Sequence, residues 1–306
     1  MINVLYLAYG GRLFRKAAAF SMLSFLGWAD SLSAPWRIVV YTDHPGDFAK
    51  FKIPCVTHPL SDLRPPPAEP LFRFWPKLMA YEHCAAQHDG SIFFLDTDTY
   101  FLGRPDDVFG ALSSGCSVMH AYEWPLAAPE DASFALDISD PPLTTSMFET
   151  DTMRHRATFD GMAMWNAGVV GVDESRVGLI ADVIDVCEEL LRHYSSHTLE
   201  QLAWSLVLQA ESCVVPAEGV VCHYWHLDRL AIEYDIVHFL RRNAHCPLHV
   251  LAARSAGLAP ASTYASRTPS LELRSRRGIR QARRLMNGVR AEAGLRLRSR
   301  RSGPPF

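Results

Sequence analysis

The 306-residue sequence predicts an α/β protein with a mostly parallel central sheet flanked by helices. Short runs rich in Val, Ile and Tyr alternate with longer segments of helical periodicity, which is the pattern of an open parallel sheet. One such run, IFFLD at 92–96, is followed two residues later by a second acid, Asp98. In open α/β sheets ligands bind beyond the carboxyl ends of the strands, so we expect the functional site at that edge.

The predicted elements follow in order along the chain. Strands are predicted at 2–9, 37–43, 92–96, 116–122, 166–173 and, with a turn, 213–225. Helices are predicted at 12–28, 177–194 and 198–209, and two more begin at Pro76 and Pro105, because proline is favoured in a first helical turn. Residues 123–160, rich in Pro, Asp and Thr, are expected to form a loop or small subdomain over the site.

The charge is unevenly distributed. The chain has 30 basic and 33 acidic residues. Residues 267–306 contain 12 of the basic and 2 of the acidic residues, so residues 1–266 contain 18 basic and 31 acidic residues. The predicted body is therefore acidic and the C-terminal tail strongly basic. Such an asymmetry indicates that the tail contacts an anionic partner.

The cysteines and the N-terminus indicate a cytoplasmic protein. The seven Cys residues are odd in number, scattered and never in a CxxC pair, so we expect buried, reduced thiols. The start MINVLYLAYGG has no basic region of the kind that opens a signal peptide and reads as a strand. The uncharged run 17–29 is shorter than the roughly 20 residues that span a bilayer.

Asp96 and Asp98 follow a buried strand, where two charges need compensation. Three interpretations stay open at this point. The acids cap the next turn or helix; or Asp96 is the nucleophile of a haloacid-dehalogenase-type phosphatase, whose motif is hhhhDxDxT; or the pair holds a divalent metal that binds the diphosphate of a sugar nucleotide. The phosphatase motif normally follows the first strand and is joined by a late acidic pair, whereas here two strands come first.

Seven segments follow one another along most of residues 1–230: LYLAYGG, YTD, RFWPKLMAYE, FFLDTDTYFLGRPDDVF, MWNAGVVGVD, TLEQLAWS and HYWH. In these segments and their order the chain resembles GT-A glycosyltransferases, particularly the glycogenin and bacterial lipooligosaccharide galactosyltransferase group. Two departures stand out. Glu200-Gln201-Leu202 replaces an acid-Gln-acid triplet, and the Gly and Lys that usually follow the late His are missing after His223.

The resemblance implies a GT-A, Rossmann-like catalytic domain at 1–260, with a nucleotide-binding half at about 1–115 and an acceptor-side half at about 116–260. It implies Mn²⁺ or Mg²⁺ held by Asp96, Asp98 and His223, with His226 in reserve, since hard carboxylates and an imidazole suit these ions. The activity it implies is transfer of a sugar from a UDP-sugar, with retention. A sugar-nucleotide-binding protein without transfer activity is a further alternative.

The other site residues are assigned by the resemblance and by position. Donor-binding residues are expected to be Tyr9, Asp43, Arg73, Lys77, Asp96 and Asp98. Catalytic residues near the reacting carbon are expected to be Asn166, Gln201 and Glu200, although Glu200 suits a first helical turn equally well. The acceptor side is expected to include Glu123, Trp124, Asp160 and Trp165.

The tail at 261–306 has an amphipathic pattern in its Arg-rich part, 274–301. On a helix, Arg276, Arg277, Arg280, Arg283 and Arg284 fall on one side, opposite Ile279, Ala282, Leu285, Met286 and Val289. This favours a helix on the anionic inner face of a membrane, near a glycan or lipid-linked acceptor. A docking or disordered tail is the alternative. Nucleic acid is the least favoured partner, since no aromatic residue interleaves the Arg run.

Overall fold

The computed structural model describes residues 1–30, 32–66, 73–126, 147–148, 150, 153, 157–159, 161–193, 196–225, 227 and 229–258. Four predictions fall wholly or mostly outside these residues: the loop or small subdomain at 123–160, the acceptor-side Asp160, the reserve metal ligand His226 and the basic tail at 261–306.

A seven-stranded sheet lies at the centre of the described chain. The strands are β1 (Ile2–Ala8), β2 (Trp36–Thr42), β3 (Cys55–Pro59), β4 (Ser91–Leu95), β5 (Thr99–Phe101), β6 (Ser117–Met119), β7 (Tyr122–Pro125), β8 (Met147–Phe148), β9 (Ala157–Thr158), β10 (Ala163–Trp165), β11 (Val169–Val172), β12 (Val214–Pro216) and β13 (Val221–His223). The sheet order is β12-β6-β11-β4-β1-β2-β3. β11 pairs antiparallel with both β4 and β6, and the other pairs are parallel. The predicted α/β fold with a mostly parallel sheet is therefore confirmed.

Helices cover both faces of this sheet. They are α1 (Arg12–Ala29), α2 (Gly46–Ala49), α3 (Trp75–Gln87), α4 (Asp106–Ser113), α5 (Leu179–His193), α6 (Leu199–Glu211), α7 (Arg229–Arg242) and α8 (Leu248–Ala256), with 3-10 turns at Leu60–Asp62 and Glu174–Arg176. Within the described part of the chain, none of the helices has the length and apolar character needed to cross a membrane.

Strand β4 shows how side chains on both faces of the central sheet become buried. All five of its residues are buried, as is usual for a strand covered by helices on both sides. Successive side chains point to opposite faces. Phe94 packs on Tyr81 of α3, with ring centroids 4.8 Å apart, whereas Phe93 packs on Phe109 of α4 at 5.2 Å. A run of apolar residues without alternation is thus what this position in the fold requires.

The parallel register brings three strand ends together. Ala8 of β1 pairs with Thr42 of β2, and Tyr6 of β1 pairs with Leu95 of β4. The next residues after these strands, Tyr9, Asp43 and Asp96, therefore emerge at one edge of the sheet. This is the carboxyl edge at which the sequence predicts the site.

Some elements differ from the predictions. The predicted strand at 116–122 is divided between β6 in the central sheet and β7, which forms a separate ribbon with β10. The predicted strand at 166–173 is shorter and antiparallel to its neighbours. β3, α7 and α8 were not predicted, because β3 is a short edge strand with half-exposed residues and α7 has a mixed polar and apolar sequence.

The expectation of seven reduced thiols is wrong for two of them. Cys116 and Cys213 form a disulfide, with Cα atoms 5.0 Å apart. They precede β6 and β12, which pair in parallel, and the Ser117 amide donates to the Cys213 carbonyl at 2.8 Å. The two Cys are 97 residues apart in sequence, so only the strand pairing reveals that they meet. The remaining cysteines are unpaired: Cys55, Cys84, Cys187, Cys222 and Cys246.

Candidate metal and donor site

The two acids lie in a turn that links the central sheet to a second ribbon. Asp96 follows β4, and its amide donates to the Gly168 carbonyl at 2.8 Å. After Asp98 the chain enters β5, which pairs antiparallel with β13 so that Thr99 lies opposite His223. This pairing places an imidazole from far along the sequence directly beside both carboxylates.

Asp96, Asp98 and His223 form one cluster of potential metal ligands. Nε2 of His223 lies 3.4 Å from Oδ1 of Asp98 and 3.9 Å from Oδ2 of Asp96. One ligand atom of each residue lies within 4.8 Å of the others, and no other such group of three is found in the described ranges. Two carboxylates and an imidazole suit Mn²⁺ or Mg²⁺, which leave room for oxygen ligands from a substrate.

The hydrogen bonds around Asn166 determine which nitrogen of His223 faces the carboxylates. Nδ1 of His223 lies 2.8 Å from Oδ1 of Asn166, which also accepts the Gly168 amide at 3.0 Å. The Asn166 amide nitrogen donates to Glu123 at 3.0 Å, so its oxygen is the acceptor. His223 Nδ1 therefore carries a proton, and in the neutral ring Nε2 presents a lone pair toward the acids. These three electron-pair donors need a cation between them, which is either a proton on Nε2 that bonds to Asp98 or a metal ion, and metal-binding imidazoles are usually held in this manner.

Gly168 allows the backbone to approach the imidazole closely. A Cβ at this position would lie 2.1 Å from Nδ1 and 2.2 Å from Cε1 of His223. Any side chain at residue 168 would therefore occupy the space of the His223 ring. The position of the imidazole therefore requires a glycine at residue 168.

Lys77 is a buried cation between two acids. Its Nζ donates to the Ala167 carbonyl at 2.8 Å and lies 3.3 Å from both Asp96 Oδ1 and Glu200 Oε1. Lys77 is 4% exposed and Glu200 is 3% exposed. Burial lowers the pKa of Lys77, but the charges of Asp96 and Glu200 outweigh it and the net pKa is raised. Lys77 is therefore charged and fixed in place.

The carboxyl groups differ in their affinity for protons. Burial raises the pKa of Asp96, although Lys77 and His223 act against it. Burial acts on Asp98 as well, but its hydrogen bond to His223 and the charges of His223 and Arg229 hold its pKa below the ordinary value. Burial raises the pKa of Glu200 to about 6. Asp98 is thus the acid best stabilised as a carboxylate, which suits a principal metal ligand.

Arg229 is a site residue that sequence reasoning missed. It begins α7, and its guanidinium lies 3.2 Å from Oδ2 of Asp98 while donating to Glu233 at 2.7 Å. The sequence does place a basic residue six positions after His223, in the segment where the Lys expected from the resemblance is absent, and this could have identified Arg229. Arg229 adds a fixed positive charge next to the cluster.

Glu123, Asn166 and Gln201 form a hydrogen-bonded group beside the cluster. Both oxygens of Glu123 accept from amide groups, one from Asn166 at 3.0 Å and one from Gln201 at 2.7 Å. The Gln201 oxygen accepts the Ala167 amide at 3.3 Å. Burial raises the pKa of Glu123. The predicted catalytic residues Asn166 and Gln201 are therefore brought together by an acid that was predicted on the acceptor side.

Three further residues were predicted on the donor side: Asp43, Tyr9 and Arg73. Asp43 accepts the Gly10 amide at 2.9 Å and lies 3.4 Å from the Arg15 guanidinium, so it holds the turn after β1. Tyr9 is half-buried at the same edge. Arg73 is exposed and its guanidinium lies over the Phe74 ring at 5.8 Å. The structure joins Lys77 to the acids and gives Arg73 no such contact among the described residues.

The two predicted acceptor-side Trp residues lie on the β7–β10 ribbon. Trp124 and Trp165 are both half-buried. Trp165 contacts the exposed Tyr122 edge to face, with ring centroids 6.0 Å apart. The Trp165 amide donates to Ser205 of α6 at 3.0 Å, which ties the ribbon to the helix that carries Glu200 and Gln201.

The raised pKa of Glu200 predicts how stability changes with pH. Its pKa is about 6 in the folded protein against an ordinary 4.5, so between these values the folded state holds a proton that the unfolded state releases. This stabilising contribution is therefore lost as pH rises. Relative to Glu200→Gln, the native protein should lose about 2 kcal/mol of unfolding free energy between about pH 4 and pH 7.

Urea unfolding of both proteins across this range, with chelator present, measures the difference. The exposed Glu218 supplies the control, and Glu218→Gln should stay parallel to the native protein at every pH. A difference between native protein and Glu200→Gln that does not change with pH would contradict the prediction.

The fold and the cluster together define an α/β protein with a candidate carboxylate–imidazole metal site at the carboxyl edge of its parallel strands. No protein-family model and no curated protein sequence matches the chain. Among solved structures, the galactosyltransferase LgtC in complex with donor and acceptor sugar analogs is similar over 70% of this chain and 73% of that chain, with 12% identity and a TM-score of 0.43.

An active-site mutant of LgtC matches with 11% identity over 70% of this chain and 73% of that chain, with a TM-score of 0.43. The bifunctional glycosyltransferase WbbM matches with 11% identity and a TM-score of 0.47, over 70% of this chain but 39% of that one. These structural neighbours are glycosyltransferases, and at these identities and TM-scores that activity is stated of the neighbours alone.

Proposed function

We propose that this protein is a metal-dependent glycosyltransferase that transfers a sugar from a nucleotide-sugar donor, a UDP-sugar, to a glycan or glycolipid acceptor. One observation carries the proposal. Asp96, Asp98 and the Nε2 lone pair of His223 converge at the carboxyl edge of the parallel strands, with the opposite nitrogen of His223 held by Asn166.

The metal would be Mn²⁺ or Mg²⁺, held by Asp96, Asp98 and His223. When bound, it offsets the charge of the donor diphosphate and of the departing nucleotide as a Lewis acid. Two cations of the chain itself add positive charge beside the acids. Lys77 lies 3.3 Å from Asp96 and Arg229 lies 3.2 Å from Asp98, so each acid has a fixed counter-charge. Arg229 supports donor binding in a segment that lacks the expected Gly and Lys.

The donor would lie along the edge formed by three strand ends. Tyr9 and Asp43 follow β1 and β2, beside the nucleoside, and Asp96 follows β4, beside the diphosphate. Arg73, on the approach to α3, remains a donor-binding proposal. Asn166 and Gln201 supply amide groups for the donor sugar, and Glu123 orients both.

Retention of the anomeric configuration is consistent with the state of the nearby acids. Inversion needs a general base at the acceptor hydroxyl. Glu123 has both carboxylate oxygens engaged by amides, and Glu200 is buried against Lys77. The acceptor would then approach past Trp124 and Trp165 on the β7–β10 ribbon. Asp160 and the membrane-binding role of the tail at 261–306 remain predictions within the same proposal.

The Asp98→Asn variant tests the proposal. Native protein should consume one member of a panel of UDP-, GDP- and other sugar nucleotides with Mn²⁺ and not with chelator. In Asp98→Asn, consumption should fall at least about a hundredfold, because a metal supplies several kcal/mol of charge stabilisation. Calorimetric titration with Mn²⁺ should show the same loss of metal affinity in the absence of donor.

The matched control is Asp106→Asn, which removes a half-buried carboxylate at the start of α4 that is paired with Arg104. It should bind Mn²⁺ and consume the donor like native protein. Metal-dependent release of phosphate from a simple phosphoester, with no donor binding, would contradict the proposal and support a phosphatase with Asp96 as nucleophile. Donor binding without consumption, with or without acceptor sugars, would mean a non-catalytic binding protein.

A further inference from the structure

Large apolar side chains are exposed on the outer faces of two neighbouring helices, α1 and α7. They are Leu13, Phe14, Leu230 and Tyr234, whose exposed fractions are 46%, 37%, 78% and 63%. A single exposed apolar residue is ordinary, but a group on adjoining helix faces marks an interaction site. We call this group the α1–α7 surface.

The two helices lie side by side, and Phe14 of α1 lies close to the start of α7. Phe20 of α1 contacts Phe239 of α7 edge to face, with ring centroids 5.6 Å apart. The Arg229 guanidinium, at the start of α7, lies 5.2 Å from the Phe14 ring. Leu230 and Tyr234 are four residues apart and thus lie on one face of α7. Since Arg229 also contacts Asp98, the α1–α7 surface begins next to the metal cluster.

Basic residues adjoin this surface. The pKa of Lys16 is lowered by burial and by the positive charges of Arg12, Lys50 and Arg241, so each of these three cations lies near enough to act on Lys16. Arg241 comes seven residues after Tyr234, which places it on the same face of α7. Asp47 acts in the opposite direction on the pKa of Lys16, and its carboxylate is paired with Arg15 at 2.7 Å.

This concentration of positive charge is unusual for the body of the chain. Residues 1–266 contain 18 basic and 31 acidic residues, so most of their surface must be acidic. A local excess of cations beside exposed Leu, Phe and Tyr side chains therefore favours an anionic apolar partner over another copy of the acidic body. Long basic side chains next to apolar and aromatic ones are the composition of proteins that lie at a bilayer surface.

We propose that the α1–α7 surface binds an anionic lipid bilayer, with its four apolar side chains in the interfacial region and the adjoining cations against lipid phosphates. The inference depends on this surface alone and not on the proposed transferase activity. Its consequence for function is that the Asp96–Asp98–His223 cluster lies next to the bilayer, so that an acceptor carried on a lipid would reach it. A tail helix is not required for this contact.

Vesicle flotation of the full chain tests the proposal. The vesicles are phosphatidylcholine alone and an equal mixture of phosphatidylcholine and phosphatidylglycerol. The apolar variant carries Leu230→Ser and Tyr234→Ser, and the charge variant carries Lys16→Gln and Arg241→Gln. The controls are Val56→Ser, which removes an apolar side chain 42% exposed on β3, and Arg192→Gln, which removes an exposed cation of α5.

Native protein should float with the anionic vesicles and much less with the neutral ones. The charge variant should lose about thirtyfold in binding, since each cation near the surface contributes about 1 kcal/mol, and this loss should disappear at about 1 M salt. The apolar variant should lose on the order of tenfold at either salt concentration. Both controls should bind like native protein.

The contribution of the tail is separated by repeating these tests in a second background. There Arg276, Arg277, Arg280, Arg283 and Arg284 are changed to Gln. The proposal predicts that the two surface variants lose the same factors in this background. Equal flotation of native and surface-variant chains in both backgrounds would overturn the proposal.

A change in the oligomeric state of the surface variants in sedimentation would also overturn it, because that would identify the surface as an interface between copies of the chain. Donor consumption in vesicle-free buffer is measured separately, so failure of the catalytic proposal would not be mistaken for failure of this one.

Discussion

Replacing Lys77 with methionine is expected to lower the free energy of unfolding by about 3–5 kcal/mol at neutral pH, because it leaves buried charges without a partner. The Lys77 ammonium lies 3.3 Å from both Asp96 and Glu200 and donates to the Ala167 carbonyl at 2.8 Å. Methionine has a similar volume but no charge and no hydrogen to donate. Chemical unfolding measured with chelator gives the loss.

The pH dependence distinguishes an electrostatic cause from a packing defect. Without Lys77, the pKa values of Asp96 and Glu200 should rise further, so both acids accept protons at higher pH. The loss caused by Lys77→Met should therefore shrink as pH falls toward about 5. Adding Glu200→Gln should restore part of the stability at neutral pH, since it removes one of the unpaired charges.

Lys50→Met is the control for Lys77→Met, because Lys50 is exposed. Its effect should stay within about 0.5 kcal/mol, as for most surface substitutions. A loss for Lys77→Met below about 1 kcal/mol at neutral pH would contradict the interpretation. It would mean that water reaches Asp96 and Glu200 as freely as on the surface.

The part of the site that could be predicted from the sequence is the part that is local in the chain. The run IFFL predicts β4, and the two acids follow it directly, so their position at a strand end needed no knowledge of the fold. The ends of β1 and β2 were predictable for the same reason. A parallel sheet places such ends at one edge, and Tyr9, Asp43 and Asp96 lie there.

The contacts that could not be predicted join segments that are distant in sequence. His223 reaches the acids only because β13 pairs with β5, and both strands are three residues long. Strands that short carry no periodicity from which a pairing can be inferred. Arg229 was missed because its role depends on where α7 begins. The disulfide between Cys116 and Cys213 depends in the same way on the pairing of β6 with β12.

Glu200 was predicted as a site residue, but the sequence alone left its role ambiguous. An acid in a first helical turn is stabilised by the helix dipole, and the motif TLEQ fits that explanation as well as a catalytic one. The structure buries Glu200 against Lys77 and away from water. Its partner comes from α3, more than a hundred residues earlier. Only the packing of α6 beside α3 distinguishes a capping acid from a buried counter-charge.

The Gly168→Ala variant is expected to reduce metal-dependent donor consumption by about ten- to a hundredfold, the usual effect of disturbing a group that orients a metal ligand. The added Cβ would lie 2.1 Å from Nδ1 of His223, so the imidazole must move. It would then lose its hydrogen bond to Asn166 and its position beside Asp98. The forced overlap should also lower the unfolding free energy by about 1–3 kcal/mol.

Combining Gly168→Ala with His223→Ala separates the two effects. If the methyl group acts by displacing the imidazole, removing the ring should make room for it, and Gly168→Ala should then cost little further stability in the His223→Ala background. Activity should remain low, because the ligand itself is gone. Gly110→Ala in α4, where a Cβ meets nothing within 4 Å, should leave activity unchanged and stabilise the helix slightly. If Gly168→Ala cost the same stability with and without His223, the backbone itself would be the source of the strain, and the imidazole would not be what requires a glycine there.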